Sequence, residues 1–135
     1  MPGDDLPKVI SLSSDAVKMF RAVAKEETGG ESESNIDKPF ATISQAFLCA
    51  AALGIVTNSR REVKEKKQWL TRREYFEDKD AYKSLRQLLR SKFDLKTERE
   101  VLDLVIAYAE GGIRELYDEY RKTGEIDFLR ISKLA

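Results

Sequence analysis

The chain has 135 residues, enough for one domain with a single buried core. Apolar residues make up 41% and charged residues 36%, and the 24 basic side chains balance the 24 acidic ones. This composition excludes a polar disordered chain and a polycationic nucleic-acid coat. Histidine is absent, which excludes Ser-His-Asp and Cys-His catalysis, the HExxH zinc site and a histidine proton switch. We therefore expect no enzyme and no cofactor.

Cysteine usage and targeting signals bear on location. The single cysteine, Cys49, cannot form an internal disulfide, which fits a reducing compartment. The first ten residues, MPGDDLPKVI, are acidic and interrupted by proline, unlike a signal peptide. No run of about 20 uncharged apolar residues is present to cross a bilayer. We expect a cytoplasmic protein without membrane contact.

The net charge of zero hides a segregated pattern. Residues 1–39 carry five basic and eight acidic side chains, and residues 40–57 carry none. Residues 58–92 carry twelve basic and six acidic side chains, a local net charge of +6, whereas residues 93–135 carry seven basic and ten acidic ones. The positive field should therefore concentrate near residues 60–92.

Proline placement predicts the fold class. All three prolines (Pro2, Pro7 and Pro39) precede residue 40, and the long remainder lacks the residue that interrupts helices most severely. We predict a mainly α fold, a compact bundle of four to six helices, with a short strand or extended segment near residues 55–70. Residues 1–13 are expected to be a flexible N-terminal segment and residues 14–135 a single helical domain.

The first predicted helix begins at Ser14, a good N-cap. Apolar side chains then recur at helical spacing, at Ala16, Val17, Phe20, Val23 and Ala24. The pattern ends near Thr28, and the following GGESESNID stretch (residues 29–37) is typical of a surface loop.

The second predicted helix follows Pro39. Thr42 or Ser44 can cap it, its interior from Ile43 to Leu53 is uncharged, and Gly54 stands where a C-terminal glycine is expected. A helix so uniformly apolar should be buried nearly all round.

Two features inside that helix have structural interpretations. Cys49 has no cation nearby in sequence to stabilise a thiolate, so we expect a buried, unreactive thiol. The small residues Ala50–Ala52 let two helices approach closely, and packing within the core is favoured over packing between subunits.

Residues 55–70 fit a short strand or extended loop as well as another helix. Beyond them, the apolar spacing from Asp80 to about Lys92 predicts an amphipathic helix. Thr97 and Glu100 form the pattern of a capping box, so another helix should begin there.

A pair of glycines interrupts this last helical pattern. Gly111 and Gly112 would cost about 2 kcal/mol against alanines inside a helix, so a bend or a close helix crossing must compensate. The period resumes up to Gly124. The tail beyond it should dock on the core through its apolar side chains, Ile126, Phe128, Leu129 and Ile131.

The segment RREVKEKKQWLTRR, residues 60–73, is the main functional candidate. Its cations can neutralise phosphates, and an indole can stack on an unpaired base. The candidate nucleic-acid-binding residues are Arg60, Arg61, Lys64, Lys66, Lys67, Trp69, Arg72 and Arg73. Two other interpretations stay open: a solvated linker anchored to the core by Trp69 and Leu70, or a contact for an acidic partner protein.

Part of the same segment matches half of a metal-nuclease site. Glu62, Val63 and Lys64 form an E-x-K pattern, in which a carboxylate holds Mg²⁺ and a lysine stabilises charge. Such a site needs an upstream carboxylate at a strand end, and the nearest candidate, Asp37, precedes a proline in a predicted loop. We therefore rank a nuclease third.

Two stretches resemble a known family. They are PFATISQAFLCAAALGI with the pair RR that follows, from Pro39 to Arg61, and IAYAEGGIRELYDEY, from Ile106 to Tyr120. Together they resemble the DNA phosphorothioation system-associated protein 4 family, found near bacterial and archaeal Dnd modification and restriction genes. The resemblance spans most of the chain from residue 14 onward and implies an intracellular accessory of an anti-phage DNA-modification system. Both stretches are packing motifs, so no catalytic residue is carried over.

The functional hypothesis combines the basic segment with this resemblance. We expect a non-enzymatic accessory subunit that binds DNA or a DNA-processing protein complex. The alternative is a homo-oligomeric helical adaptor without nucleic-acid contact.

Overall fold

A computed structural model describes residues 6–25, 38–63 and 67–126. Within these ranges the chain is mainly α, as predicted, with four α-helices and one two-stranded antiparallel sheet. The elements are β1 (Val9–Ser13), α1 (Ser14–Val23), α2 (Ile43–Thr57), β2 (Lys67–Arg72), a single 3-10 turn (Arg73–Tyr75), α3 (Asp80–Lys92) and α4 (Glu98–Thr123). None of the described helices is long and apolar enough to cross a membrane. The predicted loop at 29–37 and the tail beyond Ile126 lie outside the described residues.

The N-terminal part of the domain begins earlier than the sequence indicated. Residues 1–13 were expected to be flexible, but Val9–Ser13 form β1, because Ile10 and Leu12 are fully buried and the strand pairs with β2. The cap of α1 is Ser13 rather than Ser14, and its hydroxyl accepts a hydrogen bond from the amide of Ala16 at 3.2 Å.

Helix α1 ends at Val23, five residues before the predicted end at Thr28. Ala24 adopts an extended backbone and forms a parallel bridge with Phe40. The amide of Phe40 donates to the carbonyl of Val23 at 3.0 Å. This bridge takes up backbone groups that another helical turn would have used, so the helix stops here.

Helix α2 is longer than predicted. Thr42 caps it, as one of the two expected residues, by accepting from the amide of Gln45 at 3.2 Å. Gly54 lies inside the helix rather than after it, and the helix ends at Thr57, followed by the C-cap Asn58, whose φ of 56° is left-handed. The prediction that Gly54 terminates α2 is therefore wrong, because this glycine serves packing instead.

The glycines of α2 and α4 allow the two helices to cross in backbone contact. A Cβ atom on Gly112 would lie 1.8 Å from the carbonyl oxygen of Ala50, and one on Gly54 would lie 2.2 Å from that of Tyr108. Helix α4 runs without interruption through Gly111 and Gly112. Of the two explanations for this glycine pair, the close crossing is confirmed and the bend is wrong. Ala50 and Ala51 are fully buried in the core.

The ends of α3 and α4 follow the sequence signals. Helix α3 occupies Asp80–Lys92, and α4 begins at the predicted capping box. Thr97 accepts from the amide of Glu100 at 3.1 Å, and the Glu100 carboxylate accepts from the amides of Thr97 and Lys96. These two amides lower the pKa of Glu100, since they stabilise its ionised form. Gly124, with φ of 78°, ends α4.

A row of aromatic rings joins the helices to the chain after β2. Phe47 of α2 lies between Phe20 and Phe76, with ring centroids 6.4 and 5.1 Å away. Phe76 in turn packs edge-on against Tyr82 at 5.1 Å. The segment after β2 is thereby fastened to the core.

The crossing predicts the effect of adding one methyl group. Gly112→Ala should destabilise the protein by at least about 2 kcal/mol, because the new methyl collides with main-chain atoms of α2, which outweighs the gain in helix propensity. Urea unfolding followed by circular dichroism measures the change. Gly124→Ala is the control and should lose less, since a Cβ there meets no atom of the described residues within 4 Å and its positive φ costs about 1–2 kcal/mol. Equal losses in the two variants would contradict the close crossing.

Candidate nucleic-acid interface

The sheet register decides which side chains of the basic segment share a surface. Ile10 pairs with Thr71 but Ser11 pairs with Trp69, so Leu70 is an extra residue on β2. This is a β-bulge. Leu70 and Thr71 are both 1% exposed, so two consecutive side chains of β2 point into the core.

The bulge places Lys67, Trp69 and Arg72 on one face. Directly paired residues of an antiparallel sheet lie on the same side, and Arg72 is paired with Val9, Trp69 with Ser11. Ile10 and Leu12 of β1 point inward. The opposite side, which we call the outer face, therefore carries Val9, Ser11, Lys67, Trp69 and Arg72. A regular strand would have put Trp69 and Arg72, three residues apart, on opposite sides.

Trp69 is the exposed centre of the outer face. Its side chain is 45% exposed, whereas the neighbouring Leu70 is buried. The interpretation that both residues anchor a linker to the core therefore holds for Leu70 and is wrong for Trp69. An exposed indole is able to stack on another ring.

Two elements contribute positive charge near Trp69. Lys67 and Arg72 flank it along β2, and Arg21 of α1 donates to the Trp69 carbonyl at 3.4 Å. Lys67 forms no ion pair with any described residue, and Arg72 contacts Glu74 at 3.5 Å with both side chains exposed. Sequence reasoning missed Arg21, since only the packing of α1 beside β2 brings it near this site.

Arg60 and Arg61 lie apart from the outer face, along α4. The guanidinium carbon of Arg60 is 5.6 Å from the ring centre of Phe93 and 5.7 Å from that of Tyr108. The amide of Arg61 donates to the carbonyl of Ala107 at 3.0 Å, and its side chain is exposed. Arg60 thus clamps the chain leaving α2 onto α4 through cation–π contacts.

Arg73, at the end of the basic segment, has a structural role. Its Nε lies 2.8 Å from the Glu77 carboxylate, and its Nη1 donates to the carbonyl of Pro7 at 2.8 Å. Lys64 and Lys66 lie outside the described residues. Of the eight predicted residues, the structure brings Lys67, Trp69 and Arg72 together on the outer face.

A cleft of about 530 Å³ adjoins the outer face. Its walls come from β1, from the chain before β2 and from the first half of α4. They consist of Pro7, Val9, Ser11, Glu62, Val63, Lys67, Arg99, Asp103, Ile106 and Ala107. Its charges balance, because Lys67 and Arg99 are matched by Glu62 and Asp103, and Arg99 contacts Asp103 at 3.2 Å.

A buried ionic network joins the C-terminal end of β1 to α4. The Glu110 side chain is 3% exposed and accepts from the Ser13 amide at 3.2 Å, the Ser13 hydroxyl at 2.5 Å and Arg114 at 2.7 Å. The Nε of Arg114 is buried without a hydrogen-bond partner in the described part of the chain. Because Ser13 also caps α1, three elements meet at one carboxylate.

The other chemical candidates lie in the following positions. Glu62 of the E-x-K pattern is exposed at the cleft, while Lys64 and Asp37 lie outside the described residues. No group of three His, Cys, Asp or Glu residues that could hold a metal is present in ranges 6–25, 38–63 and 67–126. Cys49 is partly buried against the core rather than fully enclosed, and burial raises the pKa of its thiol to about 11.

The Glu110 network predicts an asymmetry between two carboxylates of α4. Glu110→Ala should lower the free energy of unfolding by about 3 kcal/mol or more, because it leaves Arg114 without its buried counter-charge. Glu115→Ala is the matched control, since among the described residues this exposed carboxylate bonds the hydroxyls of Thr57 and Ser59 alone, and its loss should cost about 1 kcal/mol or less. Urea unfolding compares the two variants, and equal losses would contradict a central role for Glu110.

Cys49 predicts slow, pH-dependent labelling. With a pKa of about 11, roughly one thiol in a thousand is ionised at pH 8, so Ellman's reagent should react slowly with the native protein and about tenfold faster per pH unit. The folded state holds this proton more tightly than the unfolded chain does. The resulting stabilisation is complete below the unfolded pKa and is lost as the pH rises toward 11. Equal labelling rates at pH 8 with and without urea would contradict the burial.

Comparison of the chain with protein-family models, with curated proteins and with solved structures found no significant match. The resemblance to the DNA phosphorothioation-associated family stays a prediction, and a functional interpretation has to start from the outer face and the cleft.

Proposed function

We propose that this protein is a non-enzymatic accessory factor of a DNA-modification or anti-phage defence system and binds DNA through the outer face. The observation that carries the proposal is the exposed Trp69 between Lys67 and Arg72 on one side of the sheet. The setting in DNA modification comes from the family resemblance, whereas the binding surface is argued from the residues alone.

Each side chain of the outer face has a separate role in this proposal. Lys67 and Arg72 neutralise phosphates, a sequence-independent contact that releases counterions. Trp69 stacks on a base, which contributes about 1–3 kcal/mol per base. Arg21 adds positive charge beside β2, where it donates to the main-chain carbonyl of Trp69.

The geometry favours single-stranded over double-stranded DNA. Bases in a duplex are stacked on each other and are not free to stack on an exposed indole, whereas unpaired bases are. No carboxylate belongs to the outer face, so nothing on the sheet itself repels the sugar–phosphate chain. Lys67 also lines the neighbouring cleft, whereas Trp69 and Arg72 do not.

Trp69 is the only tryptophan of the chain, so its fluorescence reports directly on this surface. Titration with a single-stranded oligothymidylate about 16 nucleotides long should quench the emission, and the affinity should fall steeply as salt is added. A duplex of the same length should bind more weakly. If the emission is unchanged at low salt and labelled DNA shows no binding, the proposal fails and the adaptor without nucleic-acid contact replaces it.

A pair of charge-matched variants locates the contact. The double variant Lys67→Ala, Arg72→Ala should flatten the slope of log affinity against log salt by the amount expected for the loss of about two phosphate contacts. The control double variant Lys83→Ala, Lys92→Ala removes the same charge from exposed positions of α3 and should leave the slope unchanged. Anisotropy of labelled DNA measures both. Equal slopes in the two double variants would contradict binding through the outer face.

A further inference from the structure

The strand β1 has a second edge, on the side away from β2. Two hydrogen bonds show which backbone groups of β1 point toward that edge. The amide of Arg73 donates to the carbonyl of Lys8 at 2.9 Å, so the backbone groups of Lys8 face β2. The amide of Ser13 donates to Glu110 of α4, so the backbone groups of Ser13 face the opposite way. Backbone groups alternate in direction along a strand. Those of Val9 and Ser11 therefore point, like Ser13, to the α4 side.

Val9 and Ser11 are also where the cleft opens. At Ser13 the edge is closed, because Glu110 caps the amide directly. From Ser11 toward Pro7 the strand and the helix are separated by the cleft, and β2 is the only strand paired with β1 in the described ranges. In the described part of the chain, no backbone group is hydrogen-bonded to the Val9 and Ser11 amides and carbonyls on this side.

The length of the cleft suits a short extended segment. Its strand wall runs from Pro7 to Ser11, about 13 Å at the rise of a β-strand, and its helix wall from Arg99 to Ala107, about 12 Å at the rise of an α-helix. About four residues of an extended chain span the same distance.

The chemistry of the walls selects the occupant. Alternating amides and carbonyls at a strand edge are matched by the backbone of another strand, which supplies donors and acceptors in the same alternation. The walls also offer the apolar Val63, Ile106 and Ala107 to its side chains. Because the two cations of the cleft are balanced by two carboxylates, the cleft favours an uncharged segment and has no excess charge for a polyanion.

We propose that an extended, uncharged segment of a partner protein binds in this cleft and adds to β1 as a third strand. The proposal is argued separately from DNA binding, since it uses the backbone edge of β1, and Trp69 and Arg72 do not line the cleft. It gives the accessory factor a site through which it can join a protein complex.

The first experiment selects a probe and removes one backbone donor. A random heptapeptide phage library is panned on the full-length protein, and the enriched peptide is synthesised with fluorescein for anisotropy. Ser11→Pro deletes the amide that faces the cleft but no amide that faces β2, and proline is tolerated on strand edges. It should weaken peptide binding at least tenfold, while Ser11→Ala, which keeps the amide, should bind within about twofold of wild type. Failure to enrich any peptide, or equal binding by both variants, overturns the proposal.

The second experiment needs no variant and so does not depend on whether Ser11→Pro folds. Amide hydrogen exchange of the wild type, read by NMR, should be fast at Val9 and Ser11 in the free protein and at least tenfold slower with the peptide bound. Protection that grows with protein concentration without peptide would identify a second copy as the occupant and overturn the proposal. Protection by an oligothymidylate, or displacement of the peptide by it, would place DNA in the cleft and overturn it equally.

Discussion

The backbone contact between α2 and α4 is the constraint on which the rest of the structure depends. Glycines stand on both helices at the crossing, and a Cβ on Gly54 or Gly112 would overlap a carbonyl of the other helix. A Cβ on Gly111 would likewise overlap the carbonyl of Ser59, just beyond α2. The crossing thus fixes both α4 and the chain that leaves α2. The chain beyond Ser59 then follows α4, and Arg60 attaches it there by lying over the rings of Tyr108 and Phe93.

From α4 the constraint passes to the sheet through Glu110. This carboxylate holds the last residue of β1 and the cap of α1 at once, so strand, helix start and α4 share one anchor. Burial of a charge is unfavourable unless it is paired, and Arg114 provides the pair. The same anchor closes one end of the β1 edge and leaves the other open. The position of the cleft is therefore a consequence of where α4 lies.

The sequence predicted those elements whose signals are local. The limits of α3 and the capping box of α4 depend on residues within one or two helical turns, and both are confirmed. The predicted end of α1 failed because it depends on a bridge from Ala24 to Phe40 across a loop. The outer face could not be predicted from the sequence for the same reason. Which residues accompany Trp69 is decided by pairing with β1, which lies nearly sixty residues earlier, and by an unpredicted bulge.

The bulge also explains how the six residues of β2 can both attach to the core and present side chains on the outer face. Leu70 and Thr71 point inward together, which attaches β2 to the core with two side chains while Trp69 and Arg72 stay on the outside. The outer face then has excess positive charge and an exposed ring, whereas the cleft beside it has balanced charge and an open backbone edge. The two surfaces are adjacent and share Val9, Ser11 and Lys67, so the charge of Lys67 contributes to both of them.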